Sequence, residues 1–192
     1  MTDTTQTAAP AGTALSDLSG SYTIDPAHSQ LGFVARHAMV TKVRGSFNDF
    51  EGSVTTGEQL ADVSVSVTIQ TASIDTRNPD RDGHLRTGDF FDVATYPTIT
   101  FSSTEVAALD AETLRIAGDL TIKGVTKSVT IDFDYAGGAT DPFGMQRVGF
   151  EGSTTLLRSD YGMTFNAALE TGGVLVSDKI TLEIEISAVK NA

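Results

Sequence analysis

Cysteine is missing from this chain of 192 residues. Its absence excludes disulfide bonds, thiol nucleophiles and cysteine-based metal sites. Long apolar runs are missing as well, because no stretch approaches the roughly 18 residues that a membrane-spanning helix needs. The N-terminal residues carry neither the positive charge nor the continuous apolar segment of a secretory signal. We therefore expect a cytoplasmic protein without transmembrane segments.

Basic residues are scarce: 13 lysines and arginines stand against 25 aspartates and glutamates, which gives a net charge of -12 at pH 7. This charge would repel nucleic acids and anionic lipid surfaces, so neither is an expected partner. Residues 1–18 are rich in Thr, Ala, Ser and Gly, and we predict a disordered leader there. Residues 19–192 are long enough to form one domain with a substantial core.

Alternating apolar and polar residues dominate the chain after the leader. The clearest case is residues 63–70, where Val63, Val65, Val67 and Ile69 alternate with serine, threonine and glutamine. Residues 114–122 and 129–135 show matched alternation on either side of a short loop, which predicts a hairpin. About eight such strands with one apolar face each indicate an antiparallel barrel or sandwich. We favour the barrel because it leaves no open sheet edge.

An irregular segment, residues 77–101, interrupts this pattern. Residues 75–92 contain three arginines (Arg77, Arg81 and Arg86) and five aspartates, for a net charge of 3 − 5 = −2. The balance favours arginine–aspartate pairing that knits a loop, although contact with an anionic head group is the alternative. Arg158 and Asp160 are expected to hold a second irregular connection in the same way. The Phe90-Phe91 pair is expected to cover the barrel interior.

Three histidines raise the question of metal binding or catalysis. His28, His37 and His84 do not stand at the spacings of known metal motifs. His37 continues the face of Leu31, Phe33 and Ala35, so we expect it to point into the barrel near one end. Sequence proximity of His84 to Asp82 does not supply the geometry of a catalytic triad, and no hydrolase motif is present. We expect no enzymatic activity, no metal and no cofactor; a metal-dependent or hydrolytic enzyme using His37 or His84 is the lesser alternative.

Several separated motifs resemble those of the YceI-like proteins. They occur in the same order and cover roughly residues 20–189. These motifs are Tyr22-x-Ile24-Asp25-Pro26-x-His28-Ser29-x-Leu31-x-Phe33-x-x-x-His37, Val43-x-Gly45-x-Phe47, Arg81-Asp82-x-His84-Leu85-Arg86-x-x-Asp89-Phe90-Phe91-Asp92 with Tyr96-Pro97, Gly118-x-Leu120-x-Ile122-Lys123-Gly124-Val125-Thr126, Arg158-x-Asp160-Tyr161-Gly162 and Val176-x-Asp178-x-Ile180.

The resemblance implies an all-β fold, an eight-stranded antiparallel lipocalin-like barrel with an irregular or short-helical lid segment. It also implies an elongated apolar pore that holds a polyisoprenoid or other long-chain lipid. Many members of the family are periplasmic and carry a signal peptide, a location that is not transferred to this chain. The implied function is non-catalytic binding, storage or carriage of the lipid.

The inward apolar faces supply the candidate ligand contacts. Gly45, Gly118 and Gly152 on these faces are expected to leave room in the pore. Alternatives are a barrel filled by its own side chains that serves as a structural or interaction module, and a homodimer that covers an apolar barrel mouth. The candidate ligand-binding residues are Phe33, His37, Phe47, Val65, Val67, Phe90, Phe91, Phe101, Ile116, Leu120, Phe133, Phe150 and Ile184.

Overall fold

The computed structural model describes residues 14–57 and 62–192. These residues form eleven β strands and one α helix, α1, which spans Pro79–Leu85. The strands are β1 (Ser21–Ile24), β2 (Gln30–His37), β3 (Thr41–Phe47), β4 (Phe50–Thr55), β5 (Ser64–Gln70), β6 (Ile74–Asp75), β7 (Thr98–Ala108), β8 (Thr113–Ile122), β9 (Val125–Thr140), β10 (Gln146–Leu157) and β11 (Lys179–Lys190).

At three positions in the barrel, two consecutive short strands together take the place of one long strand. β1 and β2 both pair with β11, with Tyr22 opposite Lys190 and Phe33 opposite Leu182. In the same way, β3 and β4 pair with β2 and β1, while β6 and β5 pair with β3 and β4. Together with β7 to β11 they close an eight-stranded barrel in which all pairings are antiparallel. The predicted barrel is therefore confirmed.

The hairpin of β8 and β9 shows how alternation sets the register. Ile116 stands opposite Ile131, and Gly118 opposite Val129. Lys123 and Gly124 form the turn with φ of 50° and 75°. Two residues at positive φ fit a tight type I′ turn, whose twist matches that of the strands. The register places four β8 side chains in the core: Leu114, Ile116, Leu120 and Ile122.

The lid segment, residues 76–97, contains α1 near its start and continues through turns to β7. The side chain of Asn78 caps α1 by accepting a hydrogen bond of 3.0 Å from the backbone N–H of Arg81. Pro79 is the first residue of the helix, a position at which a backbone N–H would have no acceptor within the helix, so the missing N–H of proline costs nothing. Phe91 of the later turns packs against the core cluster of Ile99 and Leu120. The predicted short-helical lid is confirmed.

The predicted leader is only partly described. Residues 1–13 lie outside the described residues, so disorder there stays a prediction. Residues Leu15–Asp17 form a turn of 3-10 helix in which Leu15 is buried. Leu15 and Leu18 pack with the cluster of Val106 and Leu114. The apolar leucines Leu15 and Leu18 thus hold the last residues before β1 against the barrel, while the domain boundary at residue 18 stays a prediction.

Two core clusters occupy the two ends of the barrel. One contains Ile122 together with Tyr161 and Met163, and the other contains Leu114 with Leu15. Leu114 and Ile122 stand at opposite ends of β8, roughly 26 Å apart at about 3.3 Å per residue. The first cluster marks the lid end and the second marks the leader end.

Candidate ligand-binding cavity

The barrel encloses a cavity of about 270 Å³ between the two clusters. It extends from Leu114 and Val54 at the leader end to Phe90, Met163 and Val176 at the lid end. Among the residues that the structure describes, those lining it are apolar except for Arg158. The volume is close to the lower end of small-molecule sites, which span roughly 300–1,000 Å³.

The predicted ligand contacts converge on this cavity, with one exception. Whether they touch a ligand stays a prediction, but their inward positions follow the apolar alternation of the strands. The predicted residues that line the cavity are Phe33, Phe47, Val65, Val67, Phe90, Phe91, Phe101, Ile116, Leu120, Phe133, Phe150 and Ile184.

His37 is the exception, and the prediction that it points into the barrel is wrong. Its side chain is exposed and does not line the cavity. His37 is the last residue of β2, and its backbone bridges to Val176 in the connection before β11. Ala38 and Met39 then turn the chain at φ of 51° and 62°. β2 therefore extends past the end of the cavity, and its alternating face is exposed to solvent at His37.

The three inward glycines do not leave open space in the pore as expected, because aromatic rings occupy the space beside them. A Cβ at Gly152 would lie 2.6 Å from Cδ1 of Phe133. A Cβ at Gly45 would meet the ring of Phe33 in the same way. The glycines thus make room for phenylalanine rings from the neighbouring strand, and those rings in turn line the cavity.

Several lining residues were not among the predicted contacts. Leu182 and Ile186 share the alternating face of Ile184 on β11, and that pattern was sufficient to find them. Met163 and Val176 lie in the irregular connection between β10 and β11, where no period indicates which side chains face inward.

Arg158 lies at the lid end of the cavity and holds that connection in place. Its side chain is 5% exposed and donates to three backbone carbonyls, those of Ser177 (3.0 Å), Met163 (2.6 Å) and Val176 (3.4 Å). Burial lowers the pKa of the guanidinium, and the negative charge of Asp178 acts in the opposite direction. The expected pinning role is thus performed through carbonyls and not through Asp160.

Arg81 and Arg86 of the lid segment also bind carbonyls. No arginine of this segment forms an ion pair with an aspartate in the described part of the chain, so the predicted arginine–aspartate pairing is wrong. Arg86 donates to the carbonyls of Ala72 and Ile74, both at 2.9 Å. Arg81 donates to the carbonyl of Thr76 at 2.7 Å. These alternate carbonyls lie in and directly beside the short strand β6, which pairs only with β3 in the described structure. The guanidinium groups therefore satisfy backbone acceptors that no strand reaches.

Asp82, the buried aspartate of the lid segment, also forms hydrogen bonds within that segment. Asp82 accepts hydrogen bonds from the N–H and the hydroxyl of Thr76. Asp82 is therefore not the partner of His84. Instead, Nε2 of His84 lies 2.8 Å from Oδ2 of Asp89. The rings of Phe90 and Phe165 pack edge-on against His84, with centroids at 5.1 and 4.9 Å. The arrangement holds the lid segment to the neighbouring connection.

The histidines do not assemble a metal site or a triad in the described part of the chain. His28 bonds through Nδ1 to Asp25 at 2.8 Å, in the turn before β2. No group of three or more His, Cys, Asp or Glu side chains there is placed to hold a metal ion. Over residues 14–57 and 62–192, no helix has the length and apolar character needed to cross a bilayer.

Solved structures share this barrel. BcnA of Burkholderia cenocepacia matches with a TM-score of 0.75 at 25% identity, covering 85% of this chain and 98% of that one. The YceI protein of Campylobacter jejuni matches with a TM-score of 0.70 at 31% identity, covering 82% and 90%. A polyisoprenoid binding domain from Saccharophagus degradans shares the fold at a TM-score of 0.70 and 17% identity, covering 88% and 98%.

Sequence comparison agrees with the fold. UPF0312 protein SAS2572 of Staphylococcus aureus (strain MSSA476) is 39% identical over 164 residues, which cover 84% of this chain and 93% of that protein. The family model of the YceI-like domain matches residues 22–188, from the first strand of the barrel to near the end of the last. With its closed barrel and the lid segment over an apolar cavity, the chain belongs to the YceI-like family.

Proposed function

We propose that this protein binds a long-chain lipid in the barrel cavity, with a polyisoprenoid as the best candidate, and stores or carries it without chemical change. The observation that carries the proposal is the cavity of about 270 Å³ with its apolar lining. The polyisoprenoid binding domain of Saccharophagus degradans supports this ligand class at the level of fold.

Burial of hydrocarbon supplies the affinity. Each methylene moved from water into an apolar cavity contributes about 0.8 kcal/mol, so one isoprene unit contributes about 3–4 kcal/mol before losses. Ordering of a flexible chain offsets much of this gain. A preformed cavity limits the loss, because the lining side chains are already held by the closed barrel.

The chemistry of the lining favours binding over catalysis. Among the described residues that line the cavity, none is a serine, histidine, aspartate or glutamate. General acid–base and nucleophilic catalysis need such groups within hydrogen-bond reach of the reacting atoms. His84 lies outside this lining and is engaged with Asp89.

Self-association stays a prediction beside this function. Met39 and Val40, at the tip of the β2–β3 hairpin, are 55% and 74% exposed. A homodimer that covers these side chains would bury apolar surface. Light scattering after size exclusion should then give twice the chain mass. The double variant Met39→Ser, Val40→Ser should reduce the measured mass to that of a single chain.

Loading experiments test the lipid proposal. Protein stripped of lipid should take up a defined polyprenol, and mass spectrometry should recover that polyprenol unchanged. Val67→Trp places a large ring in the cavity, whereas Ser66→Trp places the same ring on the outer face of β5. Val67→Trp should fold and lose uptake, and Ser66→Trp should keep both. Equal uptake by the two variants, or recovery of a modified lipid, would overturn the proposal.

A further inference from the structure

The β2–β3 hairpin carries a local excess of positive charge on a strongly acidic chain. Residues 26–48 contain Arg36, Lys42 and Arg44 and no aspartate or glutamate, although the whole chain has a net charge of -12. All three side chains are exposed. Because electrostatic fields are screened over about 8 Å at physiological ionic strength, a partner that touches the hairpin meets these charges before the more distant carboxylates. The hairpin is therefore a locally cationic surface.

Two of these cations stand directly opposite each other in the sheet. Arg36 of β2 is paired with Lys42 of β3, and neither forms an ion pair with a carboxylate of the described residues. Nε of Arg44 has only a loose contact, 3.9 Å from Oε2 of Glu183. Like charges on directly opposed residues destabilise a sheet. An anionic partner outside the hairpin would relieve this repulsion.

The tip between these charges is apolar and exposed. Met39 and Val40 are largely exposed, and so is Val174 of the connection between β10 and β11. Gly173 places this connection beside the tip, since a Cβ there would lie 3.5 Å from Cγ of Met39. Aliphatic side chains flanked by basic ones are typical of segments that bury their apolar part at a membrane interface, while the cations contact anionic head groups.

The backbone of the tip holds these apolar residues at a cost. Ala38 and Met39 have φ of 51° and 62°, and the N–H of Val40 donates to the carbonyl of His37 at 3.0 Å. These features fit a type I′ turn, in which asparagine and glycine are strongly preferred. The β8–β9 turn of the same barrel follows that preference with Gly124. The fold alone therefore does not explain alanine and methionine at this tip.

We propose that this hairpin, residues 36–44, docks on an anionic lipid bilayer. Its apolar tip enters the interface, and its three basic side chains contact the head groups. A second copy of the chain fits the hairpin less well, because a twofold contact would bring two cationic hairpins together. The net charge of the whole chain does not describe this surface, since the attraction is local.

The hairpin lies beside the lid end of the cavity. Ala35, just before it, lines the cavity, and so does Val176, whose backbone is bridged to that of His37. Docking would thus bring this end of the barrel to a membrane, where long-chain lipids reside. The inference goes beyond the proposed function, because the docking surface is on the outside of the barrel. A failure of docking would leave the lipid-binding cavity standing.

The first test measures co-sedimentation of the wild-type chain with two kinds of vesicle. Vesicles of phosphatidylglycerol and phosphatidylcholine in equal parts should bind at least about tenfold more tightly than pure phosphatidylcholine, because each basic side chain near an anionic surface contributes about fivefold. Raising the ionic strength should weaken this binding. Equal binding to both kinds of vesicle, or binding to neither, would overturn the proposal.

The second test removes the opposed cations. The double variant Arg36→Gln, Lys42→Gln should bind the anionic vesicles about 25-fold more weakly, at about fivefold for each charge. The control is Arg115→Gln, Lys127→Gln, which changes the net charge equally at two exposed positions on other strands and should keep the affinity. Equal losses in the two double variants would show that the hairpin has no special role.

The third test uses the absence of tryptophan from the chain. Val40→Trp places a single fluorophore at the tip, and its emission should shift to the blue with anionic vesicles and be quenched by brominated lipid. Phe143→Trp is the matched control at the leader end, where Phe143 is 87% exposed, and its emission should not change. A response of Phe143→Trp without one of Val40→Trp would assign docking to the opposite end and overturn the proposal.

The last test separates docking from a structural role of the tip. The double variant Ala38→Asn, Met39→Gly supplies the residues that a type I′ turn prefers, so its urea midpoint should equal or exceed that of the wild type while its vesicle affinity falls. A lower midpoint with unchanged vesicle affinity would make the tip structural. A wild-type mass of two chains that this variant reduces to one would give the hairpin to a second copy. Either result would overturn the proposal.

Discussion

The ring of Phe101 lies over Gly118, so that a Cβ at Gly118 would stand only 2.7 Å from Cε2 of the ring. The same Cβ would stand 2.6 Å from the backbone carbonyl oxygen of Ser102. Phe101 lines the cavity and packs against the core clusters of both barrel ends. One small residue therefore fixes the position of a ring that shapes the cavity wall.

Gly118→Ala is expected to destabilise the protein by about 1–3 kcal/mol, the range for an overpacked core. Urea unfolding monitored by circular dichroism measures the change. Gly88→Ala is the matched control, since nothing lies within 4 Å of a Cβ there, and it should leave the unfolding midpoint almost unchanged. Equal midpoints for the two variants would show that the ring moves away freely.

Leu15 closes the leader end of the barrel. Its side chain is 9% exposed and packs with Val106, Leu114 and Ile116. Leu15→Ala should lower the free energy of unfolding by about 2 kcal/mol, near the lower end for buried leucines. The exposed neighbour Ser16 supplies the control, and Ser16→Ala should have little effect. Identical unfolding curves for the two variants would mean that the turn does not cover the core in solution.

Arg86 satisfies the open carbonyls of Ala72 and Ile74. Arg86→Ala should cost about 1–3 kcal/mol, because acceptors partly shielded from water lose a charged donor. Amide hydrogen exchange around residues 71–76 should accelerate in this variant. Lys127→Ala removes an exposed positive charge elsewhere and should change neither exchange nor stability. An unchanged exchange pattern in Arg86→Ala would contradict a role in sealing this edge.

Asp25 links the turn before β2 to β10. Its carboxylate accepts a hydrogen bond from Arg147 at 2.6 Å and lies 2.8 Å from His28 Nδ1, and these contacts lower its pKa from 3.8 to about 2. Because its pKa is lower in the folded state than in the unfolded state, ionised Asp25 stabilises the protein at pH values above the unfolded-state pKa. This contribution is lost as the pH falls through the folded-state pKa.

The stability difference between the wild-type chain and Asp25→Asn should therefore stay constant from neutral pH to about 4 and shrink as the pH falls toward about 2. Denaturant unfolding at a series of pH values measures it. In an Arg147→Gln background the dependence should weaken greatly, because the guanidinium is the largest cause of the lowered pKa. A difference that grows on acidification would contradict this assignment.

Local patterns predicted the barrel well because strand alternation and turn residues carry the needed information. The β8–β9 hairpin was predicted from two alternating runs and a short loop, and its two-residue turn at Lys123 and Gly124 fits them. The partners of Arg81 and Arg86 could not be predicted in this way. They depend on which carbonyls in and beside β6 lack a neighbouring strand, a property of the closed sheet and not of the local sequence.

The site shows the same division. Phe101 and Ile184 were placed inward by period alone, and they line the cavity. His37 fits the same period but lies past the end of the cavity, since alternation does not say where the barrel stops. Arg158 was expected to pair with Asp160, because sequence proximity suggested it. Its carbonyl partners Met163, Val176 and Ser177 become neighbours only when the long connection folds back on the barrel.

Native mass spectrometry of the full chain, purified without detergent, tests the lipid-binding cavity most directly. The spectrum should show the protein with one additional mass, and solvent extraction should release a long-chain lipid of that mass. Val67→Trp, which fills the cavity, should lose the additional mass, and Ser66→Trp should keep it. A wild-type spectrum at the bare chain mass, with no lipid in the extract and no uptake of added polyprenol, would contradict the proposal that the cavity is a lipid site.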